Sequence, residues 1–176
     1  MTKFTKRMKR LFAWGTALLL VGGMQAASLP VDEPITPVDY VSTLVGTQSK
    51  HSLSTGNTYP AVAMPWGMNF WTPQTGTMGN GWAYTYDADK IRGFKQTHQP
   101  SPWINDYGQF SIMPVVGKPE FNEEKRASWF AHKGEIATPY YYKVYLADHD
   151  VVTEIAPTER AAAFRFTFPE NDHSYV

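Results

Sequence analysis

Tyr140-Tyr141-Tyr142-Lys143-Val144-Tyr145-Leu146, then Asp148-His149-Asp150, then Val151-Val152-Thr153-Glu154-Ile155, decides the fold class. Tyrosine and valine suit the pleated, half-buried surface of a strand. The Asp-His-Asp triplet between the two runs is turn chemistry. Ala163 to Phe168 alternates cleanly, with Phe164, Phe166 and Phe168 on one face and Arg165 and Thr167 on the other. That is the period of a strand with one buried side. Short strands at this spacing predict a mainly β protein, an antiparallel sheet or sandwich with few short helices.

Outward from this region the signals weaken. Phe121 to Ala131 contains Asn122-Glu123-Glu124-Lys125-Arg126-Ala127 and predicts a helical turn or another polar strand. Thr58 to Phe70 is apolar but interrupted by Pro60, Pro65 and Gly67, which suits loops and short edge strands. Thr72 to Gly81 is rich in Gly and Thr and is expected to be irregular. Thr47 to Asn57 is polar and predicts a loop. Val38 to Thr47 accommodates one short helix or strand, and Ser28 to Pro37, with three prolines, an extended lead-in. Pro169 to Val176 predicts a turn entering a new strand. The chain is therefore expected to be the N-terminal piece of a longer protein, its domain running over 38–176 and truncated there.

Residues 1–27 have the order of a secretory signal peptide. Lys3, Lys6, Arg7, Lys9 and Arg10 form the basic head, Leu11 to Gly23 the apolar run, and Met24-Gln25-Ala26-Ala27 the small-residue cleavage site. Thirteen residues are too short to span a bilayer comfortably. Without cysteine there is neither a lipoprotein attachment site nor a disulfide framework. The expected location is a bacterial periplasm or the cell exterior. The leader holds five of the sixteen basic residues and none of the sixteen acidic ones, so the remainder carries eleven positive against sixteen negative charges. That balance excludes nucleic acid and anionic membrane as expected partners.

The densest chemistry lies in Thr97-His98-Gln99-Pro100-Ser101-Pro102-Trp103-Ile104-Asn105-Asp106-Tyr107-Gly108. Two prolines make this a stiff loop, carrying an imidazole, an indole, an amide and a carboxylate. Glycoside acid–base chemistry needs two facing carboxyl groups. Asp106 has no convincing partner, and its expected role is to accept a hydrogen bond from a ligand hydroxyl or from nearby backbone N–H groups. Asp87 and Asp89, before Lys90 and Arg92, predict a solvated turn; Asp87-x-Asp89 lacks the remaining spacing of a calcium loop. Nucleophile and metal motifs such as G-x-S-x-G and H-E-x-x-H are absent. His132, His149 and His173 are expected to be structural hydrogen-bonders, whereas His98 stands apart because of its stiff neighbours.

Carbohydrate recognition fits better. A sugar offers an apolar face to an indole and a rim of hydroxyls to polar tips. Trp66, Trp71, Trp82 and Trp103 lie within 38 residues and supply rings; Asn57, Thr58, His98, Asn105 and Asp106 supply polar groups. At least two of the four tryptophans are expected in the core, with Trp82 and Trp103 exposed.

Several ordered motifs then resemble one family: Val45-Gly46-Thr47, Gly56-Asn57-Thr58-Tyr59-Pro60-Ala61-Val62-Ala63-Met64-Pro65-Trp66-Gly67-Met68, Gly81-Trp82-Ala83-Tyr84, Ile91-Arg92-Gly93-Phe94-Lys95-Gln96-Thr97-His98 and Asp106-Tyr107-Gly108. Together they resemble the N-terminal domain of glycoside hydrolase family 92, secreted exo-acting α-mannosidases. The resemblance implies a galactose-mutarotase-like β-sandwich (a supersandwich) packed on a larger C-terminal (α/α)6 barrel of the same chain. It also implies an active site between the two domains, a calcium ion that contacts mannose hydroxyls with ligands mostly in the second domain, and inversion at the anomeric carbon. The catalytic carboxylates would belong to the barrel, so the present chain alone is expected to be inactive. The implied substrate-binding residues are Asn57, Thr58, Trp82, Thr97, His98, Trp103 and Asp106. Gln99-Pro100-Ser101-Pro102-Trp103 departs from relatives, which have Ser-Gly-Thr-Gly-like residues after the Thr-His pair, and this bears on linkage preference. Two other readings are a freestanding, non-catalytic carbohydrate-binding module and a structural surface or adhesion domain.

Overall fold

The computed structural model describes residues 35–48, 58–64, 67–77, 83–97 and 110–176. Within them the chain forms eleven strands: β1 (Phe70–Gln74), β2 (Lys90–Ile91), β3 (Gly93–Thr97), β4 (Ser111–Ile112), β5 (Val115–Val116), β6 (Ser128–Trp129), β7 (Ile136–Thr138), β8 (Tyr141–Leu146), β9 (Val151–Pro157), β10 (Ala162–Thr167) and β11 (Ser174–Tyr175). The helical content is one α-turn, α1 (Glu123–Arg126), and two 3-10 turns at Pro37–Tyr40 and His132–Gly134. Every strand pairing is antiparallel. The expected mainly β fold with few short helices is the observed one.

The larger sheet has the order β10-β9-β8-β7. Register places Tyr142, Ile155 and Phe164 in one row and Val144, Thr153 and Phe166 in the next. Tyr142, Val144, Ile155 and Thr153 are buried, while the two phenylalanines on the outer strand β10 are only partly covered. The hairpin between β8 and β9 turns at Asp150, a non-glycine residue at φ 53°, a conformation aspartate tolerates better than most side chains.

The smaller sheet has the order β1-β3-β4 and lies against the larger one. The Phe94 ring sits 6.1 Å from that of Tyr142, and the Trp71 ring meets Phe164 edge-on at 4.7 Å and 78°. Trp71 and Phe94 close the core together with Val62, Ile91, Met113, Val115, Leu146 and Ile155. Two sheets joined across an apolar layer make a β-sandwich. On the far side of the larger sheet, Glu154 accepts from Arg165 Nε and Nη2 at 2.5 and 2.6 Å and from the Tyr141 hydroxyl. The Arg165 bonds first, then Tyr141, hold the Glu154 carboxyl down at about 2.

One expectation changes, and one open alternative resolves. Thr72 to Gln74, expected to be irregular, belongs to β1. Pro73 hides that strand in the sequence because proline donates no hydrogen bond. Its neighbour at the same parity, Trp71, exchanges backbone bonds with Val62 at 3.0 and 2.8 Å on the side away from β3. The missing N–H of Pro73 thus falls on the outer edge. Phe121 to Ala131 was open between helix and strand and contains both: Asn122 Oδ1 caps α1 by accepting from Glu124 N and Lys125 N, and β6 follows at once. Ser174–Tyr175 pairs with β5, the strand expected near residue 176.

Candidate functional site

The two faces of the smaller sheet differ in kind. Trp71, Pro73 and Phe94 point into the sandwich. Thr72, Gln74, Lys95 and Thr97 alternate with them onto the opposite face, and all four are buried. A buried polar row is costly unless its groups find partners. Gln74 Nε2 donates to Gly76 O at 2.9 Å and to Glu123 Oε1 at 3.1 Å, and Thr72 Oγ1 donates to Pro73 O at 3.1 Å. Among the described residues, Gln74 Oε1 and Ser111 Oγ have no hydrogen-bond partner. Gly93 is closely packed here: a Cβ at this position would lie 2.0 Å from Ser111 Oγ, so the serine side chain would have to shift. Arg92 ends the row on its other side, pairing with Glu124 at 2.9 Å and donating to Thr75 O.

A second feature is the turn Val45-Gly46-Thr47, with Gly46 at φ 76°, where a side chain would strain the backbone. Thr58 is attached to this turn twice: its hydroxyl donates to Val45 O at 2.7 Å and its N–H to Gly46 O at 3.4 Å. Thr47 O in turn accepts from Tyr86 N at 3.1 Å. Thr75 N donates to Ala83 O at 2.9 Å, and Thr75 Oγ1 accepts from Thr85 N at 3.0 Å. Three separated stretches singled out in the sequence (45–47, 58 and the residues after Trp82) therefore meet at one corner.

Of the expected substrate-binding residues, Thr58 is exposed at this corner, and Thr97 is the buried last residue of β3. Asn57, Trp82, His98, Trp103 and Asp106 lie outside the described residues, as do Trp66 and the Gln99-Pro100-Ser101-Pro102-Trp103 stretch. Trp71 is a core residue, hydrogen-bonded through Nε1 to Asn69 Oδ1 at 2.7 Å. His149 meets its structural expectation, with Nε2 2.8 Å from Arg126 O.

The buried row Thr72, Gln74, Lys95 was not foreseen. Its signal was the alternation in Phe70–Gln74 and Gly93–Thr97, masked by Pro73. A buried cluster around Glu135 was also missed. The hydroxyls of Tyr84 and Tyr142 donate to its carboxylate at distances down to 3.1 and 2.6 Å. Burial first, and the Glu135 charge second, push both phenols upward from the ordinary tyrosine value. Among the described residues no three His, Asp or Glu side chains converge as a cation would require. Those residues do not by themselves form a calcium cage.

A model of the glycosyl hydrolase family 92 N-terminal domain matches residues 40–176. The chain belongs to that family, and the sandwich just described is its N-terminal domain. Among solved structures, an inverting mannosidase of family 92 from Bacteroides thetaiotaomicron is 52% identical with a TM-score of 0.73, the match covering 80% of this chain and 19% of that one. A family 92 α-mannosidase from the same organism is 33% identical at a TM-score of 0.68, covering 78% and 19%. A protein of Arthroderma benhamiae described as an uncharacterized secreted glycosidase is 26% identical over 140 residues, 76% of this chain and 17% of its own length. The chain thus spans about a fifth of the relatives it matches.

Proposed function

We propose that this chain is the sugar-binding N-terminal domain of a secreted, calcium-dependent, inverting α-mannosidase acting on mannose-containing glycans. Residues 1–27 are its signal peptide and 28–37 its lead-in. The catalytic carboxylates and most calcium ligands reside in an (α/α)6 domain beyond residue 176. Asn57, Thr58, Trp82, Thr97, His98, Trp103 and Asp106 line the mannose and leaving-group pockets, with indoles stacking on the sugar and polar tips taking its hydroxyls. The observation that carries the reading is the 52% identity to an inverting mannosidase. The enclosed carboxylates Glu135 and Glu154 are already engaged by Tyr84, Tyr142, Tyr141 and Arg165, which agrees with acid–base groups supplied elsewhere.

The test compares the complete protein with residues 28–176 alone on a set of α-linked mannobioses. Proton NMR is expected to show β-mannose as the first product of the complete protein, a rate abolished by a calcium chelator, and no turnover by the short chain. Proton transfer by the missing pair is worth roughly 10²–10⁴-fold. Robust hydrolysis by the short chain would falsify the division of labour. Glycan binding without mannose release from the complete protein would establish a non-catalytic binding module instead.

A further inference from the structure

The stretch Phe130–Glu135 grips the residues that follow Trp82. The Glu135 side chain is wholly removed from solvent. Its Oε1 accepts from Tyr142 OH at 2.6 Å, its Oε2 lies 3.1 Å from Tyr84 OH, and the same Oε2 is 2.6 Å from His132 Nδ1. His132 Nε2 is 2.7 Å from Tyr86 O. A carbonyl only accepts, so this nitrogen carries a hydrogen. The imidazole also stacks on the Tyr86 ring at 3.9 Å and 4°, while Phe130 closes its edge at 5.1 Å. The segment is therefore fixed at three places: the Tyr84 tip, the Tyr86 carbonyl and the Tyr86 ring.

The grip continues beyond Tyr86. Tyr86 N donates to Thr47 O, and the turn ending there holds both the hydroxyl and the N–H of Thr58. Two residues before that turn, Thr43 Oγ1 donates to Ala137 O of β7 in the larger sheet at 3.0 Å. A buried carboxylate is a poor way to gain stability, because an apolar filling of equal volume does as well or better. What it supplies is direction: each of these bonds fixes an angle that apolar packing leaves free.

We propose that His132 and Glu135 are positioning residues for the sugar site, holding the Tyr84–Tyr86 segment and, through Thr47, the turn that anchors Thr58 in the arrangement that binds a terminal mannoside. This rests on the mannosidase reading above. Neither residue touches the sugar; both act through Tyr84, Tyr86 and Thr58.

The experiment uses the complete enzyme, an α-linked mannobiose it cleaves, and three variants. His132→Ala removes the stack and the carbonyl bond. His132→Gln keeps an amide N–H of similar reach. Val144→Ala truncates the core cluster, to which the gripped segment does not belong, and serves as the control for lost stability. The expected result is a KM raised about 10-fold in His132→Ala with a smaller change in kcat, partly restored in His132→Gln and absent in Val144→Ala. Hydrogen exchange is expected to quicken at 83–88 in His132→Ala while β8 and β9 stay protected. Faster exchange with unchanged KM overturns the proposal, as does an equal KM rise in Val144→Ala. Wild-type enzyme that releases no mannose overturns the underlying reading, and that outcome is visible before any variant is made.

Discussion

The two sheets of the sandwich are built on opposite principles. The larger one is one-sided: Tyr142, Val144, Leu146 and Ile155 are buried on its inner face, and Lys143, Tyr145 and Arg165 meet solvent on the other. The smaller one is buried on both faces at β1 and β3, apolar through Trp71 and Phe94, polar through Thr72, Gln74, Lys95 and Thr97. Burying apolar groups stabilises a fold, whereas burying polar ones at best breaks even. The apolar faces of both sheets, joined in one core, therefore account for folding. The smaller sheet carries in addition a buried polar row that ends at Thr97, the last residue of β3.

This contrast can be broken by measurement. Phe94→Ala removes the apolar link between the sheets and is expected to cost about 3–5 kcal/mol in the urea transition of this domain. A cost near zero would mean that the sheets do not share a core. Gly93→Ala should destabilise by about 1–3 kcal/mol through the contact with Ser111 Oγ. The double variant with Ser111→Ala should recover most of that loss, and failure to recover would place the clash in the backbone. Thr153 is a polar residue on the inner face of the larger sheet, its Oγ1 buried with no partner among the described residues. Thr153→Val is therefore expected to raise stability by about 1 kcal/mol, and a loss would reveal a hidden partner.

The smallest effect concerns acid. Glu154 is held at about 2, below the ordinary 4.5, by Arg165 and Tyr141. A depressed carboxylate contributes stability that is complete above 4.5 and disappears as pH falls through about 2. Glu154→Gln should flatten the stability curve across that window, losing at neutral pH the small contribution that the wild type loses in acid. A wild-type curve already flat there would remove Arg165 as a partner in solution.

The strands that were legible are those whose local signal agrees with their packing. β8 and β9 are rich in Tyr and Val and β10 alternates along its length, and the structure shifts their ends by only a residue or two. β1 was illegible because Pro73 argues against a strand, and only the free outer edge makes it harmless. The α1–β6 pair was ambiguous because a four-residue helix is decided by one cap, Asn122. The motifs around Val45-Gly46-Thr47, Thr58 and Tyr84 were visible as a family pattern. Their meeting at one corner was not, because hydrogen bonds between residues 13 and 39 positions apart leave no local trace.

The sequence by itself determined the β class, the aromatic and polar inventory suited to sugars, and membership of family 92. Those depend on residue type and short-range order, which a chain carries unfolded. The tertiary structure alone decided which face of β1 and β3 is dry and polar. It also decided that Pro73 sits on an outer edge, and that Glu135 and His132 grip Tyr84 and Tyr86. Each depends on which distant strand lies opposite, and cross-strand register is fixed only when the whole sandwich closes.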